Sequence, residues 1–410
     1  MKERINKYAE LVVQKGANVQ KGQPVVVSCP IEQADFGKII ARKAYEAGAS
    51  EIVFNWSDDE LTLMKYENAP MEVFEEYPDW AVDKSKYYFD KGGVVISIHA
   101  QDPELLKDID PEKIATWNKV AGLATKSIRK YTMNDINSWC VISVPTKRWA
   151  KKVFPDLGEE EAVEKLWTSI LDAARVGEDP IKNWEDHVAE MDKNADFLNG
   201  MQFKTLHYTN RKGTDLVVEL PKNHKWLSAG SVNEKGTSFI ANIPTEEVFT
   251  LPKKDGVNGV LYSTKPLNYG GNLIDEMVFT FKEGKVVDYS AQVGEQYLKD
   301  LFAVDENGLY LGEVALVPYD SPISNSNILY YNTLFDENAS CHFAFGKAYP
   351  TCLEGGTEMS EKELEKAGVN DALIHEDFMV GSDDLSIVGE TWDGEKFQVF
   401  EKGNWKNKKI

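Results

Sequence analysis

The 410-residue chain is short of the residues that mark several common functions. Its 4 cysteines, Cys29, Cys140, Cys341 and Cys352, form no CxxC pair, which argues against a thiolate zinc knuckle and against a disulfide scaffold. Four reduced, mostly buried thiols in a cytoplasmic protein are expected instead. Cations are outnumbered, 46 Lys and Arg against 67 Asp and Glu, for a formal net charge of -21. Nucleic acid and anionic membranes need clustered cations to neutralise phosphate, so neither is an expected partner. Long apolar runs are missing too. Segments such as Gly93–Ile98 are strand-sized, against the ~20 residues of a spanning helix. The first ten residues are charged from Lys2 onward, and no apolar signal segment is expected. No G-x-G-x-x-G or G-x-x-x-x-G-K-[ST] loop follows a strand-like segment, which removes the main support for nucleotide binding.

What is present is enough apolar and aromatic content, 42% and 11%, to build sizeable cores. The length exceeds what one core usually organises, so two domains are expected. In the first half, strand-like segments (Gln23–Cys29, Glu51–Trp56, Gly93–His99, Trp139–Pro145) alternate with helical patterns. That order predicts an α/β N-terminal domain with a mostly parallel sheet, over residues 1–198 with a helical connector from about Glu159 to Phe197. From Leu206 the pattern becomes short alternating strands with turn signals, as at Met277–Phe281 before Glu283-Gly284. It predicts an α+β C-terminal domain with antiparallel strands, residues 199–410.

The chemistry concentrates in that second half. His187, His207 and His224 lack a distinctive partner pattern and read as surface or structural; His99, at the end of a buried strand, reads as structural. His375 and Asp377 sit two apart in an extended segment and so project to one face, while Glu376 points away. His342 has small and apolar neighbours, which suits burial. Glu313 and the Glu246-Glu247 pair are carboxylates in strand-like apolar settings, costly to bury unless paired or metal-bound. Glu337 alone reads as a solvated turn carboxylate. Together, Glu247, Glu313, His342, His375 and Asp377, with Glu337 as an addition, form an oxygen-rich set with two imidazoles. Such a set suits two borderline divalent ions bridged by carboxylates, able to activate a water.

Four segments then carry a resemblance: Asn242–Thr250, Leu311–Pro318, Asn332–Ala339 and His375–Met379. In this order they resemble the aminopeptidase T family, the thermophilic-type metallo-aminopeptidases that include the PepS and aminopeptidase S enzymes. Val144–Pro155, Gly213–Leu216, Leu220-Pro221 and His224–Trp226 extend the likeness over nearly the whole chain. The resemblance implies an exopeptidase with two divalent metal ions per subunit (zinc, cobalt or manganese), working as a homodimer on peptides with a free N-terminus. It puts the metal ligands at Glu247, Glu313, Glu337, His342, His375 and Asp377. Tyr349 falls where the family has a tyrosine at the site, and Glu313 is the candidate bridge. Glu246 and Glu247 face opposite sides of an extended chain, so one of them is expected to ligate. A non-catalytic protein that binds divalent metal or peptides on the same scaffold is the rival reading.

Overall fold

The computed structural model describes residues 1–410. They form two compact units: residues 1–186 with 230–244, and residues 187–229 with 245–410. No helix is long and apolar enough to cross a membrane.

The first unit is built on a parallel sheet of five strands, in the order Glu51–Ser57, Pro24–Pro30, Val94–His99, Trp139–Ser143, Asn242–Ile243. The first four are the strands expected from the apolar runs. Pro24–Pro30 has neighbours on both sides, and Val25, Val26 and Val27 are all buried, as a continuous apolar run requires. The fifth strand is two residues long and too short to show a period. The helix Ala34–Glu46 buries Phe36, Ile40 and Ala44, a stripe at i, i+4, i+8. The expected connector is two helices, Glu159–Ala173 and Pro180–Met201. Arg175 between them takes a left-handed backbone (φ 54°), which no helix interior tolerates. Position 198/199, where the sequence pattern divides the chain, falls within the second of these helices.

The second unit holds two antiparallel sheets. The larger has nine strands, including the hairpin Asn272–Lys282/Lys285–Val293, whose Glu283 and Gly284 both have positive φ, as a tight two-residue turn demands. The smaller runs Val248–Thr250, Leu311–Leu316, His342–Gly346, His375–Met379. One parallel sheet plus antiparallel sheets elsewhere is the fold class expected from the sequence.

The four-stranded sheet has two chemically distinct faces. Alternation along its strands sends Phe343, Phe345 and Phe378 to one side, where Phe345 stacks on Phe378 at 4.4 Å between ring centroids. The same side packs on the larger sheet: Phe279 lies 5.0 Å from Phe345 and 5.2 Å from Phe378, and Tyr208 lies 5.2 Å from Phe343. The other side carries Glu313, His342, His375 and Asp377. Gly346 ends one of the central strands at φ 97°, and a Cβ there would stand 2.2 Å from the Ile374 carbonyl oxygen. Phe345→Ala is expected to cost about 3–5 kcal/mol of unfolding free energy and Gly346→Ala about 2–4 kcal/mol, read from urea denaturation midpoints. A loss under about 1 kcal/mol for either would disprove the packing account.

Candidate metal centre

The donors are brought together by register. Across the three strands Glu313 stands opposite Ala344, and Ala344 opposite Asp377. In the row on one side of this one Ala315 stands opposite His342, and in the row on the other side Gly346 stands opposite His375. Paired residues share a face, so the positions between the donors are two alanines and a glycine. A larger side chain at Ala344 would occupy the space that the carboxylates and imidazoles face. Glu247 immediately precedes the edge strand Val248–Thr250, and Glu337 opens the short helical turn Glu337–Ala339.

Glu313 is the centre of the arrangement. Its Oε1 lies 3.4 Å from His342 Nε2, and its Oε2 lies 3.7 Å from His375 Nε2. His342 Nε2 is also 3.1 Å from Glu247 Oε2, and His375 Nε2 is 3.5 Å from Asp377 Oδ1. Two donor triads result, Glu247–Glu313–His342 and Glu313–His375–Asp377, each with ligand atoms within 4.8 Å of one another and with Glu313 in common. Glu337 belongs to neither triad, although its carboxylate is buried among Asp377, Glu247, His342 and Glu313.

The far nitrogens of both imidazoles meet backbone carbonyls: His342 Nδ1 lies 3.2 Å from Ser340 O, and His375 Nδ1 lies 2.7 Å from Lys347 O. A carbonyl accepts only from N–H, so Nδ1 carries the proton. In the neutral ring Nε2 then presents a lone pair to the carboxylates. Lone pairs facing anionic oxygens repel unless a cation stands between them, and that cation is either a proton or a metal ion. The donor set thus fits borderline divalent ions of the zinc, cobalt or manganese type, with imidazole and carboxylate ligands and no thiolate.

The titration behaviour of the metal-free protein expresses the same conflict. Burial pushes the Glu313 carboxyl up, and the Asp377 and Glu247 charges add to it against the pull of His342. Burial and the same neighbours hold the Glu337 carboxyl well above its ordinary range. For His342, burial works against the charged form but is outweighed by Glu247 and Glu313, so the imidazole is shifted upward. For His375, burial is likewise overcome by Asp377 and Glu313, and its value rises from 6.5 to about 10. Burial opposes ionisation of Asp377, but His375 prevails and holds its carboxyl below the usual value.

Tyr349 follows the strand His342–Gly346, and its ring lies 4.9 Å from that of His375. Burial first, then the nearby carboxylates, keep its phenol protonated far above neutral pH. Glu246 diverges from its neighbour, with its carboxylate 3.6 Å from His187 rather than in either triad. Glu376 pairs in register with Phe345, and burial raises its carboxyl to about 8. Among the other histidines, His207 meets Asp215 at 2.7 Å and buried His224 meets the Pro221 carbonyl at 2.8 Å. All four cysteines are buried and free. Sequence reasoning missed the Ser340 and Lys347 carbonyls, Ala344, and the buried Asn338. Of these only Asn338 left a signal, as the neighbour of Glu337 in a motif already singled out.

In the metal-free protein, the raised His375 value means the folded state holds a proton that the unfolded chain releases sooner. This contribution to stability is fully present below pH 6.5 and lost as pH rises through about 10. Urea midpoints of the chelated protein should therefore fall between those limits, and the fall should be smaller in His375→Gln. Identical pH profiles for the two proteins would refute the assignment.

Comparison with known proteins gives a consistent family. The chain matches the family model described as thermophilic metalloprotease (M29) over residues 1–405. It is 50% identical over 404 residues to aminopeptidase AmpS of Bacillus subtilis (strain 168), covering 98% of each chain. It is 49% identical over 402 residues to aminopeptidase 2 of Geobacillus stearothermophilus, covering 98% of this chain and 97% of the other. The structure of wild-type AmpT from Thermus thermophilus superposes with a TM-score of 0.93 at 36% identity, covering 98% of this chain and 99% of that one. These likenesses bear out the resemblance carried by the four motifs.

Proposed function

The chain belongs to the thermophilic metalloprotease (M29) family, and on that premise we propose that it is an aminopeptidase that removes N-terminal residues from peptides with two divalent ions per subunit. The observation that carries the two-ion reading is the Glu313 carboxylate, which turns one oxygen toward each imidazole and is common to both triads. We assign the ligands to Glu247, Glu313, Glu337, His342, His375 and Asp377, and place catalysis in residues 199–410. Divalent ions held there supply a Lewis acid for the scissile carbonyl and lower the pKa of water toward neutrality.

The remaining contributions come from the chain itself. The Ser340 and Lys347 carbonyls fix both rings with Nε2 toward the site, so no tautomer change is needed on loading. Tyr349, protonated throughout the working pH range, donates a hydrogen bond where negative charge develops on the carbonyl oxygen. A homodimer in the cytoplasm is part of the same proposal, and a solution mass of twice the chain's tests its first half.

The decisive assay compares amino-acid amides and short peptides with free and acetylated N-termini, after chelation and after reconstitution with zinc, cobalt or manganese. Free N-termini should be cleaved by the reconstituted protein only, and acetylated ones spared. A protein that merely sequesters metal or captures peptides would bind without releasing amino acid. Glu313→Gln should lower kcat/KM by roughly a hundredfold or more while leaving the circular dichroism spectrum unchanged. Near-normal hydrolysis by that variant would overturn the proposal.

A further inference from the structure

Asn338 is fully buried and immediately follows Glu337. Both the oxygen and the nitrogen of its amide are engaged. Oδ1 accepts from the Glu246 backbone N–H at 2.7 Å, across 92 residues of sequence. Nδ2 donates to the Leu334 carbonyl at 3.0 Å and to Glu337 Oε1 at 3.3 Å. Turning the amide over would set a donor against the Glu246 N–H and an acceptor against a carbonyl and a carboxylate, so the network fixes its orientation.

We propose that Asn338 is a positioning residue that sets the separation between the Glu337 carboxylate and the Glu246-Glu247 segment, and thereby the metal affinity of the site. This rests on the ligand assignment proposed above. The two carboxylates come from segments without a shared strand pairing: Glu247 leads into the edge strand, and Glu337 sits in a short turn. Like charges in a buried site repel, and a neutral amide that donates to Glu337 and accepts from the backbone N–H of Glu246, one residue before Glu247, holds them in place without adding charge. Aspartate, of the same shape, would replace the donor facing Glu337 with another acceptor. A tie of this kind to a ligand-bearing segment is worth roughly tenfold to a hundredfold in metal affinity.

The test measures zinc and cobalt affinity, the visible absorption of the cobalt-loaded protein, and kcat and KM separately, for Asn338→Ala and Asn338→Ser. Ser321→Ala is the control. The Ser321 hydroxyl donates to the Asn338 carbonyl and accepts from Ser324 N–H, but touches no carboxylate. Both Asn338 variants should weaken metal binding by about tenfold to a hundredfold, alter the cobalt spectrum and lower kcat more than they raise KM. Ser321→Ala should lose thermal stability alone. If Asn338→Ser, the less disruptive variant, binds metal and turns over as the wild type does, Asn338 is a structural turn residue and the inference fails. Metal bound by the wild type without peptide turnover would sink the proposed function, while the affinities and spectra would still decide the role of Asn338. A wild type that takes up neither ion would overturn both.

Discussion

The architecture of the second unit depends on one buried carboxylate with an imidazole on either side. Glu313 is nearly inaccessible to solvent, as are Glu247 and His342. An uncompensated charge in such a place costs several kcal/mol. Four carboxylates gathered about two imidazoles cannot all be neutralised by the protein's own groups, because each imidazole supplies at most one positive charge. The upward shifts of both His375 and Glu313 describe a site that takes up protons where it has no other cation. Divalent ions would remove the conflict directly, and the liability in the metal-free protein would become affinity in a loaded one.

A scaffold that tolerates this must be stable for other reasons, and the same small sheet supplies them. Its opposite face is a packed aromatic layer, with Phe343, Phe345 and Phe378 set against Phe279 and Tyr208 of the larger sheet. Burial of these rings offsets the cost of the charged face, each being worth about 3–5 kcal/mol against truncation. Because side chains alternate along a strand, the two faces share a backbone without sharing chemistry. Register does the rest: a slip of one residue would bring phenylalanines to the site and bury the carboxylates in the aromatic layer. Glu376 is the exception that shows the cost. It pairs with Phe345, and its carboxyl is driven up to about 8.

Much of this was legible in the sequence, for identifiable reasons. Val25–Val27 form a continuous apolar run, the pattern of a parallel strand buried on both faces. His375 and Asp377 show the period-two spacing of a shared strand face, and Glu313 stands out as a charge among apolar neighbours. What could not be read are relations without a local pattern. The strand Asn242–Ile243 is too short to have a period. The clustering of Glu247 with His342 depends on cross-strand register, which no single segment specifies. Glu337, a solvated turn carboxylate on its own sequence, is in fact pressed among the other acids.

The donors span 131 positions from Glu247 to Asp377, counting both ends, yet the backbone does most of the work of placing them. Two donors ride on the strand His375–Met379, one on its neighbour His342–Gly346 and one on the next, Leu311–Leu316, and both imidazoles are locked by main-chain carbonyls that flank the strand His342–Gly346. Main-chain acceptors cannot be removed by point substitution, so the tautomer of each ring is protected in a way that a side-chain partner would not allow. Glu337 and Glu247 lack this protection because neither lies within a ladder. They are the positions where a side chain must substitute for the sheet, and Asn338 is the side chain found there. Rigidity at the centre therefore comes from the fold, and adjustability at the rim from a single amide.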